Sequence, residues 1–295
     1  MLIVSFIGFQ NDTIHVSSKN QQLDIVLRDG VELNEVNIVT RKLGTMKLRS
    51  SVMNEDMISS AELSRAACCN LGESFVTNPS VDVSYSDAAT GAKQIKLLGL
   101  SGTYVQMLTE NIPNYRGAAA PYGLGYVPGP WMQSIQVSKG TSSVKNGYEA
   151  ITGQINVEFK KPQLPEADWV SANLFASTTN RYEANADATL KLSKRWSTSL
   201  LAHYENETKA HDGNDDGFVD IPQVEQYNVW NRWAYMGDHY VFQAGIKALS
   251  ETRTSGQANH GGTMHSGDLY KVGIDTERYE FFTKNAYIFN KEKNT

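Results

Sequence analysis

The chain has 295 residues, 40% of them hydrophobic and 20% charged, with a formal net charge of -5. That length suits two domains or one large β domain, and the acidic balance argues against a nucleic-acid partner, which would call for a basic stripe. No run of about 18 apolar residues occurs, so no membrane helix is expected, although strands of about ten alternating residues each could still cross a bilayer.

The first residues, LIVSFIGF, form a strand-like run without a charged leader or a small-residue cleavage site. Residues 13–16 and 23–27 alternate in the same way, and three such strands cannot bury a sandwich core alone. Residues 33–40 read as one extended linker strand. Residues 59–76 carry helix signals: Ser59 or Ser60 as N-cap, Glu62 in the first turn, and Leu63, Ala66, Ala67 and Leu71 at helical spacing. Asn70 is placed to cap a second turn, and Asn78-Pro79 ends the element. Cys68 and Cys69 fall within it. Adjacent cysteines cannot staple distant parts of a fold, and small buried side chains explain them better than a redox pair.

Residues 81–91 read as a strand and polar loop, followed by KQIKLLGLSGTYVQMLTENIP over residues 93–113, a strand, a turn marked by Gly99, Ser101 and Gly102, and a second strand. Residues 114–129, NYRGAAAPYGLGYVPG, form a long irregular segment rich in Gly, Pro, Ala and Tyr with one charge, Arg116. Residues 131–162, WMQSIQVSKGTSSVKNGYEAITGQINVEFKKP, give two strands joined through glycine-marked turns.

In order and spacing, the last two strand-turn-strand stretches resemble the plug domain of TonB-dependent outer-membrane receptors. That family shows I-x-L-R-G-L-S-G-x-R-V-L-V-L-I-D-G-V-P, then I-E-V-V-R-G-P-x-S-x-L-Y-G-x-x-A-x-G-G-V-I-N-I-x-T-K-K-P. Two long, ordered, gapless matches weigh far more than any short pattern. The resemblance implies that residues 1–30 are the end of a carboxypeptidase-regulatory-like β-sandwich, as precedes plugs in Bacteroidetes-type receptors, with Met1 an internal or mis-called start. It implies a linker over 31–45 and a plug over 46–162. Glu35, Val36, Asn37, Ile38, Val39 and Thr40 would be the TonB box, which pairs by strand addition with the periplasmic energy-coupling protein TonB. The plug apices would meet the ligand through Tyr115, Arg116, Tyr122 and Tyr126 in one loop and Tyr85 and Asp87 in another. Tyrosine offers flat amphipathic contact at low entropy cost. Two departures concern the family's latch between plug and wall: Leu98 stands where its arginine is usual, and Gln136 where its glutamate is usual. Losing both leaves no lone buried charge, but puts the family's account of the latch in doubt.

After Pro162 the texture changes. Tyr182, Ala184, Ala186, Ala188, Leu190 and Leu192 alternate with Glu183, Asn185, Asp187, Thr189 and Lys191. The same holds for Trp196, Thr198, Leu200, Ala202 and Tyr204 against Ser197, Ser199 and His203. Six strands are predicted, near 169–177, 181–192, 196–207, 224–236, 239–252 and 278–290, with aromatic residues near their ends as in a membrane girdle. Turns at 193–195 and 237–238 would be periplasmic; loops 208–223 and 253–268 would be extracellular. Six strands cannot close around such a plug, and an open edge in lipid leaves backbone groups unpaired. The expected fold is therefore mainly β with a small α+β plug, the N-terminal part of a plugged antiparallel transmembrane β-barrel, truncated, with residues 163–295 as its wall.

Asp212, Asn214, Asp216 and Asp220, with Gly217 among them, match the first part of a calcium loop, but Gln223 stands where the bidentate glutamate belongs. Calcium there is one reading, with a parallel in the outer loop of the family's cobalamin receptors; a solvated loop closed by Asx turns is the other. His203, His211, His239, His260 and His265 lack tight ligand spacing, and the last two read as a loop tip rather than a copper site. No nucleophile with its base is found, and the glycine-rich loops lack a phosphate loop's lysine. The resemblance implies import of a ferric siderophore, cobalamin or other metal chelate across the Gram-negative outer membrane, with bilayer lipid and TonB as partners. The alternative is a soluble or surface β-protein binding glycans through its tyrosine-rich loop.

Overall fold

The computed structural model describes residues 2–4, 12–14, 25–26, 46–47, 54–65, 69–76, 78–87, 89–141, 147–163, 168–258 and 269–289. The chain divides into a unit of Met1–Lys42 and a unit of Leu43–Thr295. In the first, β1 (Leu2–Val4) pairs antiparallel with β2 (Asp12–Ile14). Residues 31–45, with the stretch 35–40, lie outside the described residues, as do Cys68, His260 and His265.

The second unit begins with β3 (Met46–Lys47), β4 (Asn54–Ser59) and α1 (Ser60–Arg65). The predicted helix over 59–76 is thus shorter than its pattern suggested. A separate 3-10 turn at Glu73–Phe75 follows, and Asn70 Oδ1 accepts the Glu73 amide at 3.2 Å, satisfying an otherwise orphaned donor. Then come β5 (Val81–Asp87), β6 (Ala92–Leu97), β7 (Leu100–Ser101), β8 (Val105–Thr109), β9 (Ile112–Pro113), α2 (Ala120–Gly123), β10 (Met132–Lys139) and β11 (Gly153–Phe159).

One sheet has the order β3-β4-β10-β11-β8-β9, and β5-β6-β7 form another. The strand-turn-strand expected over 93–113 is therefore not one hairpin. Leu98 (φ 54), Gly99 (φ 83) and Gly102 (φ 74) hand the chain from one sheet to the other, and β8 runs parallel to β11. The glycine-marked pair over 131–162 is an antiparallel hairpin, β10 with β11. All seven residues of β11 are buried. Ile155, Val157 and Phe159 join Ile135, Val137, Trp131, Leu71 and Leu97 in the core. The alternate residues of β11 are polar and satisfied in kind, as Gln154 Nε2 donates to Gln106 Oε1 at 2.6 Å and Asn156 Nδ2 to Gln136 Oε1 at 3.1 Å.

Six further strands follow: β12 (Val170–Ala176), β13 (Tyr182–Lys191), β14 (Trp196–Glu207), β15 (Gln223–Met236), β16 (Tyr240–Gly256) and β17 (Lys271–Tyr287). They form one antiparallel sheet in chain order. The last two strands run longer than their patterns suggested, paired from Tyr240↔Tyr287 to Gly256↔Lys271. Continuous ladders carry β16 and β17 past the lipid-facing stripe. There polar residues such as Glu277 and Asp275 take the outward positions, where alternation of hydrophobicity fades and sequence periodicity alone places the strand end too early.

The alternation is inverted relative to a water-soluble sheet. Outward residues are apolar and exposed, with Leu174 at 82%, Ile246 at 63% and Phe281 at 71%. Inward residues are polar and buried, with Asn228 at 0%, Glu251 at 1% and Arg232 at 2%. Water would disfavour so much exposed apolar surface, whereas lipid-facing strands require apolar-out and polar-in. Among the described residues no helix is long and apolar enough to cross a membrane. The polar face of this wall packs on the plug through Leu201, Trp230 and Leu249, which belong to the same core as Trp131 and Phe159. The Trp230 ring meets Phe159 edge-on at 4.3 Å.

Candidate ligand cleft and plug latch

Two devices lie between plug and wall: a cleft beside the end of the loop 208–222 and a set of ion pairs beneath it. The tip of the β5-β6 hairpin reaches the wall at Gly91. A Cβ there would stand 2.9 Å from Pro222 and 3.1 Å from the Arg253 guanidinium, and φ is +66, so only glycine allows this approach. Arg253 Nη1 also donates to the Thr90 carbonyl at 3.4 Å.

Beside this contact opens a cleft of about 300 Å³, lined by Tyr85, Lys93 and Tyr122 of the plug and by Thr179, Arg181 and Glu207 of the wall, among others. Lys93 Nζ sits 5.5 Å over the Tyr85 ring, and the Arg253 guanidinium 5.7 Å over Tyr122, both within cation–π range. Burial holds the Lys93 ammonium below the usual lysine range.

Arg181 forms part of the cleft's edge and is the hub of the upper latch. Its guanidinium binds Glu73 of the plug at 2.8 Å and wall residues Glu183 at 2.6 Å and Glu205 at 3.0 Å. Burial pushes the Glu73 carboxyl up, but the Arg181 charge and hydrogen bond outweigh it and hold Glu73 below the usual carboxylate range. A carboxylate whose folded value is depressed contributes stability above its unfolded value and loses it as pH falls through the folded one. Acidification from about pH 5 to about pH 3 is therefore expected to lower the melting temperature of the detergent-folded protein, and Glu73→Gln to flatten that dependence. An unchanged slope in the variant would show that Glu73 carries none of it.

The lower latch is a buried pair, Arg232 Nη1 of the wall and Glu110 Oε1 of the plug, at 2.6 Å with both side chains 2% exposed. Arg232 also donates to the Lys160 carbonyl at 3.0 Å and stacks over Trp230 at 4.8 Å. Lys160 in turn reaches Asp187 at 2.7 Å. These pairs answer the doubt raised by the two departures from the family pattern. Leu98 is exposed and Gln136 is engaged within the plug, and the charges that tie plug to wall come from other positions. The sequence reading did not single out Arg181, Arg232, Lys247 or Arg253. Their signal was available in the inward parity of Arg232, Lys247 and Arg253, which places cations on the polar face of wall strands.

The proposed apical residues divide into groups. Tyr85 is exposed and Tyr122 half-buried, and both face the cleft. Asp87 sits at the hairpin tip, accepting the Ala89 and Thr90 amides in an Asx turn. Arg116 Nε lies 2.9 Å from both carboxylate oxygens of Glu149. Tyr115 and Tyr126, by contrast, are buried at 4% and 2%. The Tyr115 ring packs on Gly123, where a Cβ would come within 2.6 Å of it, and its hydroxyl accepts Lys247 Nζ at 2.9 Å. The amphipathic ring that suits tyrosine to ligands serves here to pack one end and hydrogen-bond the other.

In the loop 208–222, Asp212 accepts the Asp216 and Gly217 amides, Asp216 the Phe218 amide and Asp220 the Gly213 amide. Gln223, at the calcium loop's final position, instead donates to the Thr208 carbonyl. Among the described residues no group of three or more His, Cys, Asp or Glu is arranged to hold a metal ion. Cys69 is buried. Burial first, then the Glu183 and Glu73 carboxylates, raise its thiol far above the usual range, which disfavours the reactive thiolate.

A plug seated on the polar face of an antiparallel wall, with that wall's other face apolar, defines an outer-membrane plugged-barrel protein. Residues 47–154 match the TonB-dependent Receptor Plug Domain family, and the six-stranded wall follows that plug in the chain. It is 24% identical over 185 residues to the vitamin B12 transporter BtuB of Vibrio vulnificus (strain CMCP6), a match covering 63% of this chain and 30% of that protein. In fold it resembles Pseudomonas aeruginosa FpvA bound to heterologous pyoverdines, with a TM-score of 0.63, 14% identity, and coverage of 83% of this chain and 33% of that one. It also resembles the copper transporter OprC, with a TM-score of 0.56, 14% identity, and coverage of 80% and 35%. The chain thus spans about a third of the length of these relatives.

Proposed function

We propose that this protein is part of an importer that captures a scarce small ligand, such as a ferric siderophore, cobalamin or another metal chelate, at the surface of a Gram-negative cell. The observation that carries this reading is the seating of the plug: a stopper held by ion pairs against a polar lumen face, with an aromatic and cationic cleft opening beside the outer loops. Tyr85, Lys93 and Tyr122 would meet the ligand there, with Arg116 at the start of the loop that carries Tyr122. TonB would engage Glu35, Val36, Asn37, Ile38, Val39 and Thr40 and pull on the chain that leads into β3. The vitamin B12 transporter and the pyoverdine-bound receptor among its relatives support small chelates as the ligand class. The exposed apolar wall opposes the alternative of a water-soluble glycan binder. Calcium at Asp212, Asn214, Asp216 and Asp220 rests on spacing alone.

The test is uptake of labelled ferric siderophores and cyanocobalamin by cells carrying the intact gene, a deletion of the gene, or a deletion of residues 35–40. Uptake of one ligand should vanish in both deletions, while surface binding survives in the second. Full uptake of every ligand without the gene would overturn the reading.

A further inference from the structure

Asn114, Tyr115 and Arg116 tie plug to wall within three consecutive residues. Asn114 Nδ2 donates to Glu280 of the wall at 3.0 Å, and its Oδ1 accepts Arg278 Nη2 at 2.5 Å. The Tyr115 hydroxyl accepts a hydrogen bond from Lys247 Nζ of the wall, and the ring lies in cation–π range of both Lys247 at 5.5 Å and Arg278 at 5.0 Å. Arg116 turns to Glu149 of the plug. Between them, the Tyr115 backbone has φ 51, a left-handed conformation costly for a bulky residue and kept only where its surroundings enforce it. The enforcing groups are visible. The Asn114 side chain accepts the Tyr115 amide at 2.8 Å, Gly123 leaves room for the ring, and two wall cations hold the hydroxyl and ring face. Lys247 also donates to the Tyr126 carbonyl at 3.2 Å, so one lysine fixes both ends of the segment that carries Pro121 and Tyr122 to the cleft.

We propose that Tyr115 is a positioning residue: clamped by Lys247 and Arg278 of the wall, it sets the conformation of the loop 116–126, so that the loop's shape depends on the plug remaining seated. A group on the wall thereby determines where Tyr122 presents itself, and unseating the plug releases Tyr115 from its strained backbone and the loop from its shape. The importance of that loop for ligand rests on the import reading, but the clamp does not.

Hydrogen exchange of the receptor in detergent, without ligand, tests it. Tyr115→Phe keeps the ring and removes the hydroxyl; Lys247→Met keeps the length and removes the charge. Both should speed exchange of amides 117–126 at least about tenfold while β10, β11 and the wall strands keep their protection, because local opening is separable from global unfolding. Unchanged exchange in 117–126 would overturn the proposal. So would a uniform rise throughout the chain, which would mark Tyr115 as ordinary packing. Neither result depends on uptake, so failure of the clamp and failure of the import reading are distinguishable.

Discussion

Glu110→Ala is expected to destabilise the detergent-folded receptor by about 3–5 kcal/mol, the cost of leaving a buried charge without its partner. Glu110 and Arg232 meet at 2.6 Å with both side chains 2% exposed. Removing the carboxylate leaves the guanidinium with the Lys160 carbonyl and two ring faces in place of its ion pair. Lys284, which stands 3.5 Å from the other Glu110 oxygen, would add a second unbalanced cation. The double variant Glu110→Leu with Arg232→Met should recover most of the loss, since a buried pair replaced by apolar groups of similar size is often near neutral. Unfolding of both variants by urea in detergent measures the difference. A single-variant loss under about 1 kcal/mol would place this pair with ordinary exposed ion pairs and remove it from the latch.

Gly153→Ala is expected to be as damaging for a different reason. Gly153 begins the fully buried strand β11 with φ +155, and a Cβ there would strike the Ser138 carbonyl oxygen and stand 2.5 Å from Leu97. That conformation is essentially confined to glycine, at a cost of about 1–3 kcal/mol for other residues, and overpacking adds about 1–3 kcal/mol. Gly140, at the opposite end of the same hairpin connection, has φ +93 but nothing within 4 Å of its Cβ position. Gly140→Ala should therefore show the backbone cost alone. Equal losses for the two variants would mean that the β10-β11 hairpin shifts to absorb the clash, and that the close approach to Ser138 does not matter to the plug.

The first expectation concerns the join between stopper and wall, the second the packing of the stopper itself. A latch of buried ion pairs is costly to break by deleting one partner. It is replaceable by apolar packing in terms of stability, so its value lies in orientation. The cleft, by contrast, is built from side chains with spare capacity: exposed Tyr85, half-buried Tyr122 and the depressed Lys93.

Much of the architecture was legible in the sequence because it follows local rules. Alternation with period two is a property of neighbouring residues, so Tyr182 and Leu190 out, Glu183 and Asn185 in, could be read before any fold was known. Glycine punctuation around Gly140 and Gly153 likewise marked the hairpin through backbone freedom alone. Only the tertiary structure decided that β6 and β8 enter different sheets, and that Arg232 and Lys247 close on the plug. It also turned Tyr115 and Tyr126 inward while leaving Tyr85 and Tyr122 to face the cleft. Those outcomes join residues as far apart as Lys247 and Tyr115, 132 positions along the chain. Ion pairing and burial at that range depend on which surfaces the fold brings together, and no local pattern encodes them.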